Sequence, residues 1–534
     1  MKTLHNARIY TLDPNLPIAS TLVIDHGKVI FVGEQSVASL PENAEYIDMN
    51  GRVILPGLTD AHIHLQTYAL GLKKVNCETK TLSECLRRIK ERVRETPPGD
   101  WVLGHGWNQN VWKPPSFPSK SDLDKIAPNN PVYLTAKSLH AAWVNSAALK
   151  VAKITANTPD PADGKIMHDE HGQPTGILLE WAYFLVRDIL PKPSIAEIAL
   201  AIEESQPNLW QMGLTSVHDF DWHPCFPALQ LLHAQKRLHL RVTKNILADQ
   251  LPDAIKLGLR SGFGDEWLRI GGIKTFMDGA LGPGTAAMLE PYLNQPENKG
   301  MLIMDGEELF DLAKQAAENG LSMTVHAIGD RANNETLNAF ARLREYERAN
   351  NLPPLRHRIE HVQLLHPNDK NRLAELDVIA SMQPIHATSD MDMADEFWGE
   401  RAALSYACRT QLDAGAKLAF GSDAPVESPN PFFGLHAAVT RQRADGSPSP
   451  QGWRGEQRLS LEEALAGFTT GPAYAAGMED RLGQLRAGFL ADLIVLDEDL
   501  FSIEPNELQN IKPVATMIGG EWVWQAYQEE RIYD

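Results

Sequence analysis

The sequence predicts an α/β protein: a (β/α)8 TIM-like barrel with an insertion after its first strand, plus a small β-sandwich domain built from both chain ends. Three observations lead to this fold class. Eight short apolar runs that end in polar or charged residues recur through the middle of the chain, the first two are separated by far more than one helix, and both ends alternate short strands with turns. With 43% hydrophobic and 22% charged residues, the 534-residue chain has the composition of a globular protein, which excludes a disordered one.

The eight apolar runs predict the barrel strands. Parallel strands need crossover connections, and both faces of their sheet need to be covered, so eight βα units that close into a barrel are the most economical arrangement. We expect the barrel over residues 58–479, with residues 70–205 forming an inserted subdomain. In chain order, the predicted strands are 53–64, 214–219, 240–246, 268–277, 322–327, 357–362, 378–383 and 417–423.

The two chain ends predict a composite β domain formed by residues 1–57 and 480–534. Turn residues between two apolar runs indicate a hairpin, and Asn-Gly is the strongest such signal. A single strand is expected at 491–496. The expected hairpins join 21–24 to 29–32, 46–49 to 53–55 across Asn50-Gly51, and 514–518 to 522–524 across Gly519-Gly520.

The charge balance limits the partners. Fifty basic and 69 acidic side chains give a net charge of −19, which argues against nucleic acid or an anionic membrane surface, because both need a basic face. The N-terminus has no apolar core of signal-peptide length, and the chain has no run of about 18 apolar residues. Its four cysteines form no CxxC pair. We therefore expect a cytoplasmic protein that acts on a small molecule, and we leave a homodimer open.

Candidate metal ligands begin with His62 and His64 in GLTDAHIHL. Residues two apart on a strand point to the same side, so both imidazoles would face the barrel axis. An HxH pair by itself is a weak signal, because two histidines at a strand end whose hydrogen bonds are satisfied would give the same pattern.

Four further side chains strengthen the metal interpretation: Lys274, His326, His361 and Asp423. Each falls near the end of a predicted strand, and in a (β/α)8 barrel the carboxyl ends of the strands converge on one mouth. Buried ionisable groups are costly unless they are paired or coordinated, and one cation would account for all of them.

Two of these positions have alternatives. Lys274 could form a salt bridge to Asp278 or another carboxylate, or its amine could be carboxylated to a carbamate that bridges two metals. His361 also lies four residues after His357, which is a helical ligand spacing. Arg358 stands where HExxH would have a glutamate, and the pattern is that of a strand, so we reject a zincin-type site.

The ligand set points to hydrolysis. Imidazole and carboxylate without thiolate suit Zn²⁺, with Mn²⁺, Fe²⁺, Co²⁺ and Ni²⁺ as alternatives. A bound ion would polarise a carbonyl group and lower the pKa of a bound water towards about 7, giving hydroxide at neutral pH. Asp423 would act as general acid and base. A nucleophilic serine is disfavoured because the sequence has no GxSxG elbow.

These residues resemble the binuclear-metal pattern of the amidohydrolase superfamily. The segment GFLADLIVLDEDL looks like part of the superfamily's β-sandwich. The segments GHGWNQNVW, SLHAAWVNSAAL, GLTSVHDF, IKTFMDGALG and HAIGDRA are similar to its YtcJ-like group, amidohydrolase family 3, which includes N-substituted formamide deformylases. The resemblance spans nearly the whole chain.

The resemblance implies a role for each site residue. His62, His64 and Asp423 would bind the more buried metal, His326 and His361 the other, and Lys274 would bridge them as N6-carboxylysine. The residues near the substrate would be His140, Asp278 and Arg331, with His105 and Trp107 from the insertion covering the barrel mouth. Purely structural roles remain open for three residues of this second set. His140 could begin a helix, Arg331 could form a local salt bridge, and Trp107 could belong to the core of the insertion. His218 could be a neighbour of the metal ligands or a satisfied core histidine.

One segment departs from the pattern of the group. After Asp278-Gly279 the group often has Gly-Ser-Arg-Thr, whereas this chain has Gly282-Pro283-Gly284-Thr285. An arginine that could hold an anionic substrate group is therefore missing, which favours a neutral or apolar N-substituent.

The function predicted from the sequence is metal-dependent hydrolysis of a non-peptide C–N bond in a small amide or formamide. An N-acyl amino acid deacylase or a cyclic amidase of the same superfamily is the alternative within enzymes. A non-catalytic binding protein on a decayed barrel is the alternative outside them, although such a barrel would be expected to have lost some of the six ligand positions.

Overall fold

The structure is a computed structural model that describes residues 1–34, 44–109, 111–114, 116–137, 141–161, 164–282, 284–293 and 295–526. The chain divides into two compact units. One unit consists of Met1–Tyr68 together with Ile198–Asp534, and the other consists of Ala69–Glu197.

Seven short strands precede the barrel and belong to two sheets. Strands β5, β4, β1 and β6 form a four-stranded sheet in that order, and β2, β3 and β7 belong to a second sheet. The antiparallel hairpin β4–β5 confirms the first predicted turn. The strands are β1 (Lys2–His5), β2 (Arg8–Tyr10), β3 (Ile18–Ala19), β4 (Thr21–Asp25), β5 (Lys28–Gly33), β6 (Glu45–Asp48) and β7 (Val53–Pro56).

The predicted hairpin across Asn50-Gly51 is wrong. Strand β6 pairs in parallel with β1, and β7 pairs in parallel with β2 in the other sheet. The turn itself is present, because Arg52 N–H donates to Met49 O at 2.9 Å and both central residues have positive φ, 51° at Asn50 and 76° at Gly51. It carries the chain from one sheet to the other, and long-range packing decides the strand partners.

The first barrel strand is β8 (Leu58–Ile63), followed by α1 (Leu65–Gly71). The apolar run 53–64, which we predicted as one strand, is thus split between two sheets at Gly57. A Cβ at Gly57 would lie 2.3 Å from Thr215 Oγ1, so only glycine fits where the chain leaves the terminal sheet.

The second unit contains a six-stranded sheet of its own with the order β13-β14-β12-β11-β10-β9. Its core includes the buried side chains of Trp107 and Trp143. The elements are β9 (Val75–Asn76), α2 (Leu82–Glu95), β10 (Val102–Trp107), α3 (Lys120–Asp124), β11 (Val132–Ala136), β12 (Ala141–Val144), α4 (Ser146–Val151), β13 (Gly164–His168), β14 (Pro174–Glu180) and α5 (Phe184–Arg187).

The remaining barrel strands follow at the positions that the sequence predicts. They are β15 (Leu214–Asp219), β16 (Arg241–Leu247), β17 (Leu268–Phe276), β18 (Met323–Ala327), β19 (Arg358–His361), β20 (Ile379–Met382) and β21 (Leu418–Phe420). The helices between and after them are α6 (Ile195–Gln211), α7 (Cys225–Ala234), α8 (Leu251–Lys256), α9 (Gly306–Glu318), α10 (Asp330–Ala349), α11 (Arg372–Glu375), α12 (Pro384–Trp398), α13 (Cys408–Asp413), α14 (Pro431–Thr440), α15 (Leu461–Gly467) and α16 (Thr470–Ala475).

The eight barrel strands form one parallel sheet in the order β8-β15-β16-β17-β18-β19-β20-β21. The segment after β21 returns to the first strand. Asp423 N–H donates to His62 O at 2.7 Å, and His64 N–H donates to Ala424 O at 2.9 Å. The predicted eight-stranded parallel barrel is confirmed, and its seam is made by the backbone of predicted metal ligands.

The C-terminal strands join the N-terminal ones. Strands β22 (Leu493–Leu496), β23 (Pro513–Ile518) and β24 (Glu521–Gln525) complete a sheet with the order β24-β23-β22-β7-β2-β3. The antiparallel β23–β24 pair confirms the predicted C-terminal hairpin. One cluster of buried apolar side chains contains residues from both terminal sheets, among them Leu4, Ile9, Leu493 and Met517.

The cysteines are unpaired, and the helices do not form membrane spans within the described ranges. All four cysteines are buried free thiols, in agreement with the absence of a predicted disulfide framework. None of the helices within the described ranges is both long and apolar enough to cross a membrane.

A buried ion pair connects the barrel to the terminal sheet. Arg241, which begins β16, donates from Nε and Nη2 to the two carboxylate oxygens of Asp492, at 2.5 and 2.9 Å. Both side chains are almost completely buried. Asp492 Oδ1 also accepts from Gly519 N–H at 2.8 Å, so one carboxylate organises a barrel strand and the β23–β24 turn.

We predict that Asp492→Asn destabilises the protein by about 3–5 kcal/mol, because it leaves the Arg241 guanidinium buried without its counter-charge. Urea denaturation followed by tryptophan fluorescence measures this effect. Asp253→Asn is the control, since the Asp253–Lys256 pair is exposed and contributes little. Equal stability of the two variants would contradict the prediction.

Candidate metal centre

Three predicted ligands meet where the barrel closes. Asp423 Oδ1 lies 3.4 Å from His62 Nε2 and 3.3 Å from His64 Nε2. His62 and Asp423 are buried, and His64 is about one-quarter exposed. The three side chains can offer one ligand atom each to a common ion.

The separations in this cluster fit shared coordination. Hydrogen bonds between nitrogen and oxygen have a typical length of about 2.9–3.0 Å, which is shorter than either separation from Asp423. Ligand atoms at about 2.0–2.2 Å from a tetrahedral Zn²⁺ lie roughly 3.3–3.5 Å from each other. The donor set and its spacing are therefore compatible with a divalent cation that the three side chains share.

Each predicted histidine ligand has one ring nitrogen next to a fixed oxygen. A ligating histidine normally donates its other N–H in this way, which sets the tautomer and orients the ring. The contacts are His62 Nδ1 to Glu360 Oε2 at 2.6 Å, His361 Nδ1 to Gln383 Oε1 at 2.9 Å, His326 Nε2 to Gly279 O at 2.9 Å, and His64 Nδ1 to Asp221 Oδ1 at 3.7 Å. The first three are hydrogen bonds, and the fourth is a longer contact.

The second pair of predicted ligands, His326 and His361, lies beside the first. The ring centroids of His326 and His361 are 4.6 Å apart, and those of His62 and His361 are 4.9 Å apart. Burial lowers the pKa of His326 to about 3 and that of His62 to about 4, so both rings are neutral, as ligands must be.

Lys274 is buried beside these histidines without an ion pair to any described carboxylate. Its Nζ lies 4.9 Å from the ring centre of Phe220 and 4.7 Å from that of Phe276. Burial lowers the pKa of Lys274 to about 8. The salt bridge to Asp278 that we considered is not formed, because the Asp278 carboxylate accepts three backbone N–H groups, from Ala287, Ile328 and Gly329.

A buried polar network supports His62 from below. Arg358 Nε lies 2.5 Å from Glu360 Oε1, and Ser381 Oγ donates to Glu360 Oε2 at 2.6 Å. Burial alone would raise the pKa of Glu360, but Arg358 and His62 outweigh it and lower this pKa to about 2. Arg358 also donates to His218 Nδ1 at 2.9 Å, which makes His218 a support for this network.

The backbone is strained at two predicted ligands. His361 has φ 76° and Asp423 has φ 60°, values that non-glycine residues rarely adopt. Such strain costs about 1–3 kcal/mol per residue and concentrates at functional sites. Here it aims the side chains of β19 and of the segment after β21 at the same mouth.

The residues predicted near the substrate are placed differently. Burial raises the pKa of Asp278 to about 7, and its carboxylate accepts from backbone N–H groups and lies 3.7 Å from His326 Nε2. Arg331 is about half exposed and donates to Glu335 Oε1 at 3.1 Å on its own helix, which is the local salt bridge we considered.

The predicted residues of the insertion lie in the second unit. Trp107 is fully buried among Trp112 and Trp143, and its Nε1 donates to Leu134 O at 2.9 Å, which favours a core position over a contact with substrate. His105 Nδ1 lies 2.8 Å from Thr135 Oγ1. His140 and Pro283 fall outside the described residues.

Sequence reasoning missed the residues that contact the predicted ligands. Glu360, Gln383, His386 and Asp221 each follow or flank a predicted strand end, and this position was their available signal. His386 was the most accessible to sequence reasoning, because it follows the seventh strand and its Nε2 lies 3.5 Å from Asp423 Oδ2.

Comparison with known proteins gives a family match over most of the chain. The model of a family described as "Amidohydrolase family" matches residues 45–524. The Bacillus subtilis (strain 168) protein named "Putative amidohydrolase YtcJ" is 32% identical over 98% of this chain and 99% of its own. The N-substituted formamide deformylase of Arthrobacter pascens is 28% identical over 96% of each chain.

A solved structure agrees with the fold. The crystal structure of an uncharacterized metal-dependent hydrolase from Pyrococcus horikoshii OT3 superposes with a TM-score of 0.80 at 29% identity, covering 94% of this chain and 99% of that one. Together with the family match, this similarity confirms the resemblance that the sequence motifs indicated.

We predict that Glu360→Gln weakens divalent-metal binding by about 10–100-fold, because the carboxylate that orients His62 is lost. Competition of the protein with a chromogenic chelator measures the affinity. Glu347→Gln is the matched control: Glu347 is also buried and bonds His357 Nε2 at 3.0 Å, but Met323 N–H occupies the other nitrogen of His357. The prediction is contradicted if both variants bind metal equally well.

Proposed function

Because the chain belongs to the amidohydrolase family, we propose that it is a metal-dependent hydrolase that cleaves a C–N bond in a small amide or formamide. The observation that carries this proposal is the convergence on Asp423 of two imidazoles whose opposite nitrogens face Glu360 and Asp221. A cluster of this kind is arranged to bind a cation and leaves little reason for a purely structural role.

The residues present fit one or two divalent ions. His62, His64 and Asp423 would hold the first, and His326 and His361 would hold a second. Lys274 would join them as a carbamate, which is supported by its burial and by its pKa of about 8, since the neutral amine is the form that reacts with CO₂. We propose Zn²⁺, because imidazole and carboxylate without thiolate suit it. The ion would polarise the carbonyl group and make a water acidic enough to attack at neutral pH.

Asp423 is the residue proposed to move the proton. Burial opposes its ionisation, but contacts with His386 and His64 outweigh burial and hold the pKa of Asp423 well below its usual range. An ionised carboxylate can accept a proton from the attacking water and then deliver it to the leaving nitrogen. The barrel fixes Asp423 through its own backbone N–H bond to His62 O.

The proposed substrate is a neutral amide with an apolar substituent. Support comes from the 28% identity to the N-substituted formamide deformylase and from the missing arginine in the segment 282–285. Phe276 adds an aromatic surface that is only partly buried, with its ring centre 5.3 Å from that of His326. N-acyl amino acids and cyclic amides are the alternative substrates.

We expect a substrate panel to give formate release from N-substituted formamides and weaker or no turnover of N-acyl amino acids and lactams. Dialysis against a chelator should remove the activity, and added Zn²⁺ or Mn²⁺ should restore it. Preferential turnover of acyl amino acids or lactams would transfer the proposal to those substrates. Chelator-resistant turnover would overturn metal dependence.

We predict that Asp423→Asn lowers kcat by about 10²–10⁴-fold, since an amide cannot accept the proton. The variant should retain the circular dichroism spectrum of the wild type. Asp305→Asn is the control, because Asp305 caps α9 and asparagine caps helices equally well. Substantial activity in Asp423→Asn would remove Asp423 from proton transfer.

A further inference from the structure

The seventh barrel strand supplies no predicted metal ligand, yet its end contacts ligands from both neighbouring strands. Strand β20 lies between β19, which carries His361, and β21, which leads to Asp423. It ends at Met382, and α12 begins at Pro384. The two residues of interest are Gln383, between the strand and the helix, and His386, in the first turn of α12.

Gln383 holds His361. Its Oε1 accepts from His361 Nδ1 at 2.9 Å, so the other nitrogen of this ring, Nε2, is left as the ligand atom. The Nε2 amide of Gln383 is buried without a hydrogen-bond partner among the described residues. An unpaired buried donor costs about 1–3 kcal/mol, so stability alone does not explain this glutamine.

His386 lies beside the oxygen of Asp423 that the first ligand pair leaves free. Its Nε2 is 3.5 Å from Asp423 Oδ2, whereas His62 and His64 approach Oδ1. His386 is buried at 5% exposure. The carboxylate of Asp423 is thus divided, with one oxygen towards two predicted ligands and the other towards His386.

The surroundings of His386 differ from those of three of the four predicted histidine ligands. His62, His361 and His326 each bond a fixed oxygen through the ring nitrogen that faces away from the site. Among the described residues, no such oxygen accepts from His386 Nδ1. His361, His386 and Asp423 could also offer one ligand atom each to a common ion. A ligating imidazole normally has the support of a fixed oxygen, which favours Asp423 Oδ2 over an ion as the partner of His386.

We propose that Gln383 and His386 are positioning residues of the metal centre: Gln383 fixes the ring of His361, and His386 holds Oδ2 of Asp423 so that Oδ1 stays directed at the position between His62 and His64. This inference rests on the proposed function. In this proposal, the residues that follow β20 align predicted ligands on the two neighbouring strands.

The test uses Co²⁺ bound to the full-length protein, since affinity and the visible absorption spectrum report the site without any substrate. Gln383→Leu should weaken Co²⁺ binding by about 10–100-fold, and Gln383→Glu, which keeps an acceptor and makes it ionic, should bind Co²⁺ more tightly than the wild type. Tighter binding cannot arise from misfolding, so the glutamate variant keeps the test decisive even if the leucine variant is unstable.

For His386, leucine removes the donor and glutamine replaces it with an amide N–H. His386→Leu should change the Co²⁺ absorption spectrum, because a released carboxylate can bring both oxygens to the ion, and His386→Gln should return it towards the wild type. His436→Leu is the control for loss of a buried helical histidine, since His436 is 4% exposed on α14. Its Co²⁺ spectrum should match the wild type.

The outcomes separate this inference from the proposed function. If wild-type protein binds no Co²⁺, the proposed metal-dependent function fails. If it binds Co²⁺ but the Gln383 variants share its affinity and His386→Leu shares its spectrum, the positioning role is overturned while the function stands. A Co²⁺ stoichiometry that drops in both His386→Leu and His386→Gln would make His386 a ligand and would also overturn the proposal.

Discussion

The structure depends on the seam that closes the barrel. Asp423 N–H bonds to His62 O, and His64 N–H bonds to Ala424 O, so the backbone of three predicted ligands joins the last strand to the first. Asp60 reinforces the seam, because its Oδ1 accepts from the N–H groups of both His62 and Ser422 at 3.0 Å. Closing the barrel and assembling the site are therefore one event, and a shift in strand register would destroy both.

The seam also concentrates charge that the barrel must balance. Lys274 and Arg358 are buried cations, and Glu360 and Asp423 are buried anions within the same barrel interior. Arg358 and Glu360 pair directly, whereas Lys274 forms no ion pair with a described residue and lies beside the rings of Phe220 and Phe276. Asp423 faces imidazoles, those of His62, His64 and His386. An unpaired carboxylate among imidazoles is understandable in a site built for a cation, because buried charges without counter-charges are costly. An ammonium at Lys274 would repel that cation, and the lowered pKa of Lys274 favours its neutral form.

Much of the fold was predictable, because barrel strands that are buried on both faces appear in the sequence as apolar runs that end in polar residues. The predicted ligand positions come from the same pattern, as with His326 in MTVHAIGD. The Asn50-Gly51 hairpin failed because a turn fixes local direction and not the strand partner. Glu360 and Gln383 were missed because their residue types are common at strand ends, and only their contacts with His62 and His361 distinguish them.

The sequence by itself determined which residues form the eight strands and which polar side chains stand at their ends, since burial pattern and chain order are local properties. Tertiary structure alone decided how these side chains are used. It turned one nitrogen of His361 towards Gln383 and buried Trp107 in the second unit. It also paired the Asp278 carboxylate with backbone N–H groups. The physical reason is that orientation and hydrogen-bond partner are set by residues distant in sequence, whose approach depends on how the whole sheet closes.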